Sequence, residues 1–383
     1  MSNANYRYQE TDEFFAQIAG GLEDIGAEEI GELGARDIVP VYRGLRFRAS
    51  AEVLYGINYK SRLVSRVLAP LDRFNCHNTD YLYRRAKNIE WGDFLSVDKT
   101  FAIYSNVANS SIRHSKYAAL RLKDAIVDAF REKEGVRPSV NRLNPDVWFN
   151  IDIHDNIATI SLETSGGAMH RRGYRKSTGA APIQETAAAA IIRMTGWDGA
   201  RKLIDPMCGS GTLIAEALMS YCRIPASYLR NNRTIESMPD FDSRLWAKMS
   251  QTADSMIRPL PDGLIVGSDI DSRVLADARK NLAALPGGQN VHLEATNWRN
   301  IESITDATIV TNPPYGRRLN TREPIGDFYK SFGDFLKQRC TGSEAFIYVG
   351  DRELLKTVGL RTKWKKPLVN GSLDGRLAKY ELY

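Results

Sequence analysis

Apolar positions along this chain follow two rhythms, and the change between them divides it. In the first part, short strand-like runs are interspersed with helix-spaced ones. Phe14, Phe15 and Ile18 predict a strand. Leu22, Ile25, Ile30 and Leu33 follow at helical spacing, and Gly34 supplies a C-terminal stop. Val39, Val41 and the alternating Leu45-Arg46-Phe47-Arg48 predict a hairpin, with a second helix through Val53, Leu54 and Ile57. Together these predict a small α+β unit ending near Pro70. A second α+β unit follows. Phe101-Ala102-Ile103-Tyr104 predicts a strand, and Ser115 a cap for a long helix carrying Leu122, Ile126 and Phe130 on one face. Val147, Phe149, Ile151 and Ile153 alternate and the pattern resumes at Ile157, Thr159 and Ser161, a hairpin around His154-Asp155-Asn156. Gly166-Gly167 marks a joint.

From Pro182 the rhythm becomes helix, strand, helix, strand. A helix through Ala187, Ile191 and Met194 stops at Gly196. Strands are predicted at Lys202-Leu203-Ile204, Leu264-Ile265-Val266-Gly267, Thr308-Ile309-Val310 and Phe346-Ile347-Tyr348-Val349. Strands separated by helices predict a doubly wound, mostly parallel sheet. Residues 222–261 are long for a connection and read as an insertion with a helix over about 245–256.

Composition narrows the class only a little. At 383 residues the chain exceeds one core, so two or three domains are expected. Hydrophobic residues at 43% and charged residues at 26% fit an ordinary globular protein. A net charge of +6 tilts the reading towards nucleic acid without deciding it. No apolar run reaches the roughly 18–20 residues of a membrane span, and no signal-like apolar region opens the chain. Cys76, Cys208, Cys222 and Cys340 form no close pair, so a reduced cytoplasmic setting without structural zinc is expected, and the five histidines are scattered without ligand spacing.

Three stretches carry candidate chemistry. Asp205-Pro206-Met207-Cys208-Gly209-Ser210-Gly211-Thr212 follows a predicted strand and opens a helix. It is not a dinucleotide fingerprint, because Ile214 stands three residues past Gly211, and no Gly-Lys-Ser/Thr follows. Glycines there admit a ligand close to the backbone, and a helix N-terminus suits a carboxylate. A tight turn with no ligand is the plain alternative. Asp269, at the tip of the next strand, is the candidate to bind a ribose diol and Asp271 reads as a helix cap, with a pure capping role for both as the plain alternative. Asn312-Pro313-Pro314-Tyr315 ends the third of these strands. An Asn oxygen and a proline-stiffened carbonyl can accept from a conjugated amine and aim its lone pair, and Tyr315 offers a stacking face. The run Arg171, Arg172, Tyr174, Arg175 and Lys176 reads either as a phosphate grip or as a solvated linker, as does the run of Arg361, Lys363, Trp364, Lys365 and Lys366.

Taken together, these motifs resemble the THUMP-domain RNA guanine-N2 methyltransferases, a class I S-adenosylmethionine-dependent family. The likeness is to the methyltransferase half of the large-subunit (23S) rRNA enzymes. It is carried by His170-Arg171-Arg172-Gly173-Tyr174-Arg175, Ala181-Pro182-Ile183-Gln184-Glu185, Leu203 through Thr212, Gly267 to Asp271, Asn312 to Gly316, and Asn370-Gly371-Ser372-Leu373-Asp374-Gly375-Arg376. The resemblance implies a ferredoxin-like domain over 5–68, a THUMP RNA-binding domain over 69–165, a basic linker over 166–181 and a Rossmann-like class I methyltransferase domain over 182–383. It implies that Asp205, Met207, Cys208, Gly209, Ser210, Gly211, Thr212, Asp269, Ile270 and Asn297 hold S-adenosylmethionine, and that Asn312, Pro313 and Tyr315 act on the base. Asn297 stands where the family often has an acidic residue. The implied activity is N2-methylguanosine formation in 23S rRNA or a ribosome-assembly precursor. A tRNA guanine-N2 enzyme, a DNA-adenine or protein-glutamine methyltransferase, and a non-catalytic RNA-binding factor remain as alternatives.

Overall fold

The computed structural model describes residues 5–176, 183–231, 234–314, 324–371 and 373–383. The expectations placed on Tyr315, Gly316, Ala181, Pro182 and Ser372 lie outside the described residues. The chain divides into two compact units. One comprises the residues up to Ile18, Gly26–Met169 and Arg230–Gln251; the other comprises Ala19–Ile25, His170–Leu229 and Thr252–Tyr383.

The elements before the joint are α1 (Arg7–Thr11), β1 (Glu13–Gln17), α2 (Glu23–Glu32), β2 (Arg36–Val41), β3 (Gly44–Arg48), α3 (Ala51–Lys60), β4 (Arg66–Asn75), α4 (Thr79–Lys87), β5 (Thr100–Ala108), α5 (Ser115–Glu134), β6 (Ser139–Val140), β7 (Val147–His154) and β8 (Ile157–Glu163). Their strands form one sheet in the order β2-β3-β1-β4-β8-β7-β5-β6. β4 joins the two α+β halves, pairing with β1 over Arg66–Leu68 and with β8 from Leu68 onward. It passes through Pro70 with a register shift between Pro70 and Asp72, where a residue lacking an N–H disturbs the ladder least. Ser115 is the first residue of α5 rather than its cap. His114 holds the cap position and makes no side-chain capping bond.

After the joint come α6 (Glu185–Thr195), β9 (Leu203–Asp205), α7 (Thr212–Tyr221), α8 (Ser243–Ser255), β10 (Ile265–Asp269), α9 (Ser272–Leu282), β11 (His292–Ala295), β12 (Thr308–Thr311), α10 (Ile325–Arg339), β13 (Glu344–Val349), α11 (Leu354–Thr357), β14 (Trp364–Asn370) and β15 (Leu373–Glu381). The sheet order is β11-β10-β9-β12-β13-β15-β14. Strands β9 to β13 pair in parallel, and β15 runs antiparallel to both β13 and β14. One face of the sheet carries a core in which Trp298 meets Phe328, Phe332 and Phe335.

The insertion holds α8 close to where its pattern predicts, but its middle groups with the first unit. Trp246 packs edge-on against Tyr55 and Tyr59, and Phe241 packs against Tyr55. The Tyr8 hydroxyl donates to Asp240 Oδ1 at 2.6 Å. Arg230 donates to the carbonyls of Ser165, Gly166, Gly167 and Ala168, capping the Gly166-Gly167 joint. No described helix is long and apolar enough to cross a membrane.

Candidate active site

β9 and β12 are neighbours in the sheet although about a hundred residues separate them. The chain leaves β9 for one flank of the sheet and reaches β12 from the other, which makes this pair a topological switch point, where open α/β sheets bind ligands. Asp205 ends β9, Asp269 ends the adjacent β10, and Asn312 follows β12 directly. Sequence motifs far apart are thus brought to one edge.

The turn after β9 is held from several sides. Met207 N–H donates to Asp205 Oδ1 at 3.1 Å, and Gly209 N–H donates to Asp269 Oδ2 at 2.9 Å. Cys208 N–H donates to the Ser268 carbonyl and Gly211 N–H to the Cys208 carbonyl, each at 2.9 Å. Gly211 has φ +82° and a side chain there would press on Ala278, so the position favours glycine. Gly209 is different: a Cβ built on it would meet nothing within 4 Å. Cys208, Ser210 and Thr212 around it are buried, so the turn is packed behind Gly209 and open in front of it.

Asp205 is 1% exposed. Burial pushes its carboxyl up to about 7, against the lowering effect of the Thr311 hydroxyl and the Met207 N–H, with Asp269 adding to the rise. Asp269 accepts from two backbone groups, since Asp271 N–H also donates to its Oδ1 at 3.0 Å. Each oxygen keeps a second acceptor direction for a ligand. Asp271 caps α9 as expected, its side chain accepting from Arg273 N–H. Ile270, between the two aspartates, is 72% exposed, an apolar surface at the strand tips. Burial raises the Cys208 thiol well above its usual range, so it is no nucleophile.

Asn312 Oδ1 is buried and has no hydrogen-bond partner among the described residues. An unsatisfied buried acceptor of this kind costs about 1–3 kcal/mol. Pro313 behind it is buried, and two prolines in succession stiffen its carbonyl. Asn297 caps a short 3-10 turn, its side chain accepting from Arg299 N–H at 3.0 Å, which leaves its amide hydrogens to donate.

The basic run requires correction. Arg172 and Tyr174 are each 1% exposed and face Glu216 inside the second unit, at 3.3 Å and 3.2 Å. Arg175 lies 3.3 Å from Glu185 and donates to Thr212 Oγ1 and the Ile183 carbonyl, each at 3.0 Å. These three side chains are packed inward and cannot grip a phosphate backbone. Arg171 and Lys176 are exposed. One residue with a part in this region carries no sequence signal: Asn281, in α9, which is described below. Among the described residues, no group of three or more His, Cys, Asp or Glu could hold a metal ion.

The sheet order, the antiparallel β15 inserted beside β13, and the glycine turn after β9 define a class I methyltransferase fold. The RMKL-like methyltransferase domain matches residues 172–379, the THUMP domain 76–163 and the RlmL ferredoxin-like domain 13–68, and the chain belongs to the RMKL-like methyltransferase family. It is 39% identical over 97% of both chains to slr0064 of Synechocystis, provisionally named an RNA methyltransferase. It is 35% identical, over 96% of its length, to the ribosomal RNA large subunit methyltransferase K/L of Syntrophotalea carbinolica. The chain spans about half of that relative, 53% of its length. The crystal structure of SMU.472, provisionally assigned as a methyltransferase and complexed with SAH, superposes with a TM-score of 0.84 at 24% identity, covering 97% of this chain and 98% of that one.

Proposed function

We propose that this chain methylates the exocyclic N2 of guanine in large-subunit ribosomal RNA, using S-adenosylmethionine. The observation that carries the reading is Asn312 Oδ1, a buried acceptor with no partner among the described residues, on the strand next to the one that ends in the Asp205 turn. The turn fits the cofactor: open space before Gly209, a helix N-terminus for a carboxylate, Asp205 for an amino group, Asp269 for a ribose diol and Ile270 for one face of a base. Asn297 presents amide hydrogens, which suit a ring nitrogen rather than an exocyclic amine. When bound, the cofactor supplies an electrophilic methyl group.

The rest is work by the chain's own residues. The guanine amine is a weak nucleophile because its lone pair is delocalised into the ring. Asn312 Oδ1 and the Pro313 carbonyl accept its two hydrogens, favour a pyramidal nitrogen and aim its lone pair. Both acceptors also stabilise the positive charge that develops on nitrogen, so they bind the transition state more tightly than the ground state. No strong base is required, because the alkylated amine is acidic enough to lose its proton to water. Tyr315 is assigned the stacking face for the extruded base.

In this reading residues 5–68 and 69–165 hold RNA, Gly166-Gly167 mark the joint, and the residues from His170 onward, apart from the insertion over Arg230–Gln251, catalyse, with ribosomal RNA or an assembly precursor as the cytoplasmic partner. Nucleoside mass spectrometry of rRNA and tRNA from a deletion strain tests it. Loss of N2-methylguanosine from large-subunit rRNA is expected. Unchanged rRNA with loss from tRNA would move the enzyme to another substrate.

A further inference from the structure

Asn281 takes no part in the chemistry just described, yet its buried side chain bridges two separate stretches of backbone. Its Nδ2 donates to the Ser210 carbonyl at 3.1 Å, inside the glycine turn. Its Oδ1 accepts from Lys176 N–H at 2.8 Å, in the segment leading out of the joint. Asn281 is 1% exposed. The peptide between Ser210 and Gly211 is therefore pinned at both ends, its oxygen by Asn281 and its N–H by the Cys208 carbonyl.

This pinning matters because Gly209 and Gly211 both have positive φ and bring little stiffness of their own. A turn with two such glycines samples several peptide orientations unless something outside it chooses one. Arg175 adds a second hold, through Thr212 Oγ1 at the start of α7. Gly173, in the same segment, packs so closely that a Cβ there would come within 2.9 Å of the Leu229 carbonyl. Segment 172–176 is thus the back wall of the turn.

We propose that Asn281, seconded by Arg175, is a positioning residue that pre-organises the Ser210-Gly211 peptide for S-adenosylmethionine. The inference rests on the reading of that turn as the cofactor site. Pre-organisation removes an ordering cost from binding, so its loss weakens affinity and leaves the saturated rate nearly unchanged.

Asn281→Asp is the informative variant. It keeps size and the acceptor for Lys176 N–H. Ionised, it cannot donate to the Ser210 carbonyl and repels it; protonated, its hydroxyl donates there again. Cofactor affinity is read by calorimetry against wild type at each pH, which cancels the titration of groups common to both. At about pH 8.5 the variant should bind roughly tenfold more weakly. Its single-turnover rate at saturating cofactor should stay within about threefold of wild type. At about pH 5.5 its affinity relative to wild type should recover. Arg175→Lys, which keeps the charge beside Glu185, should bind roughly three- to tenfold more weakly and serves if Asn281→Asp does not fold. Unchanged affinity in either folded variant, or a weakening of Asn281→Asp that is the same at both pH values, would overturn the proposal. A wild-type chain that binds no S-adenosylmethionine would instead bring down the cofactor reading on which it stands.

Discussion

Asp205 couples the site to pH in two opposite ways. Burial pushes its carboxyl in the folded chain up to about 7, above its ordinary value. A raised folded value means the ligand-free fold is most favoured while Asp205 is protonated and loses that contribution as pH climbs towards 7. Asp205→Asn should therefore stabilise the ligand-free protein at about pH 8 by on the order of 2–4 kcal/mol, with a gain that shrinks towards about pH 4. Thermal melts at both pH values check this; an unaltered melting point at the higher pH would mean the carboxylate is not strained. Cofactor binding runs the other way, since only the ionised carboxylate pairs with an ammonium group, so wild-type affinity should fall as pH drops below about 7. Asp269→Ala should cost roughly tenfold to a hundredfold in cofactor affinity through lost charged hydrogen bonds. Calorimetry giving the wild-type value would remove Asp269 from the site. At this scale the sequence was legible where a position is local. Asp205, Asp269 and Asn312 sit at strand ends that their own flanking residues announce. Arg172 and Tyr174 were not legible, because a charged run reads alike whether solvated or buried. Their partner Glu216 lies more than forty residues away in sequence.

The insertion carries the element-scale lesson. Its helix was visible in the pattern, but its destination was not, since nothing local says that Phe241 and Trp246 will pack on Tyr55 and Tyr59. A fragment starting near Gly179 keeps those two aromatics and loses the residues that cover them. It should aggregate, whereas a fragment from His170 with Arg230–Gln251 replaced by a short Gly/Ser link should stay monomeric and bind cofactor. Light scattering decides, and a monodisperse first fragment would show that the aromatic cluster is dispensable. Trp246→Ala in the full chain should cost about 2–3 kcal/mol, as for a partly buried aromatic. The β14–β15 hairpin escaped the pattern for a different reason. Lys365, Lys366 and Pro367 on an edge strand guard it against pairing with other chains, and the same residues hide it as a strand.

At the scale of the whole molecule, the proposed division gives RNA holding to the first unit and chemistry to the second. Arg113, Lys116 and Tyr117 are exposed around the start of α5 and form a basic, aromatic surface suited to a phosphate backbone. Charge reversal of Arg113 and Lys116 together should weaken RNA binding about tenfold or more, reduce its salt dependence and leave cofactor affinity unchanged. Filter binding at several salt concentrations checks this, and unaltered RNA affinity would place the grip elsewhere. In the proposed chemistry Asn312 activates a guanine amine. Its most direct test is single-turnover methylation of large-subunit rRNA by wild type and Asn312→Ala at saturating cofactor, with the product nucleoside identified by mass spectrometry. Wild type should give N2-methylguanosine, and Asn312→Ala a rate about a hundredfold to a thousandfold lower with cofactor binding intact. An Asn312→Ala enzyme as fast as wild type, or a methyl group found on adenine, would contradict that chemistry.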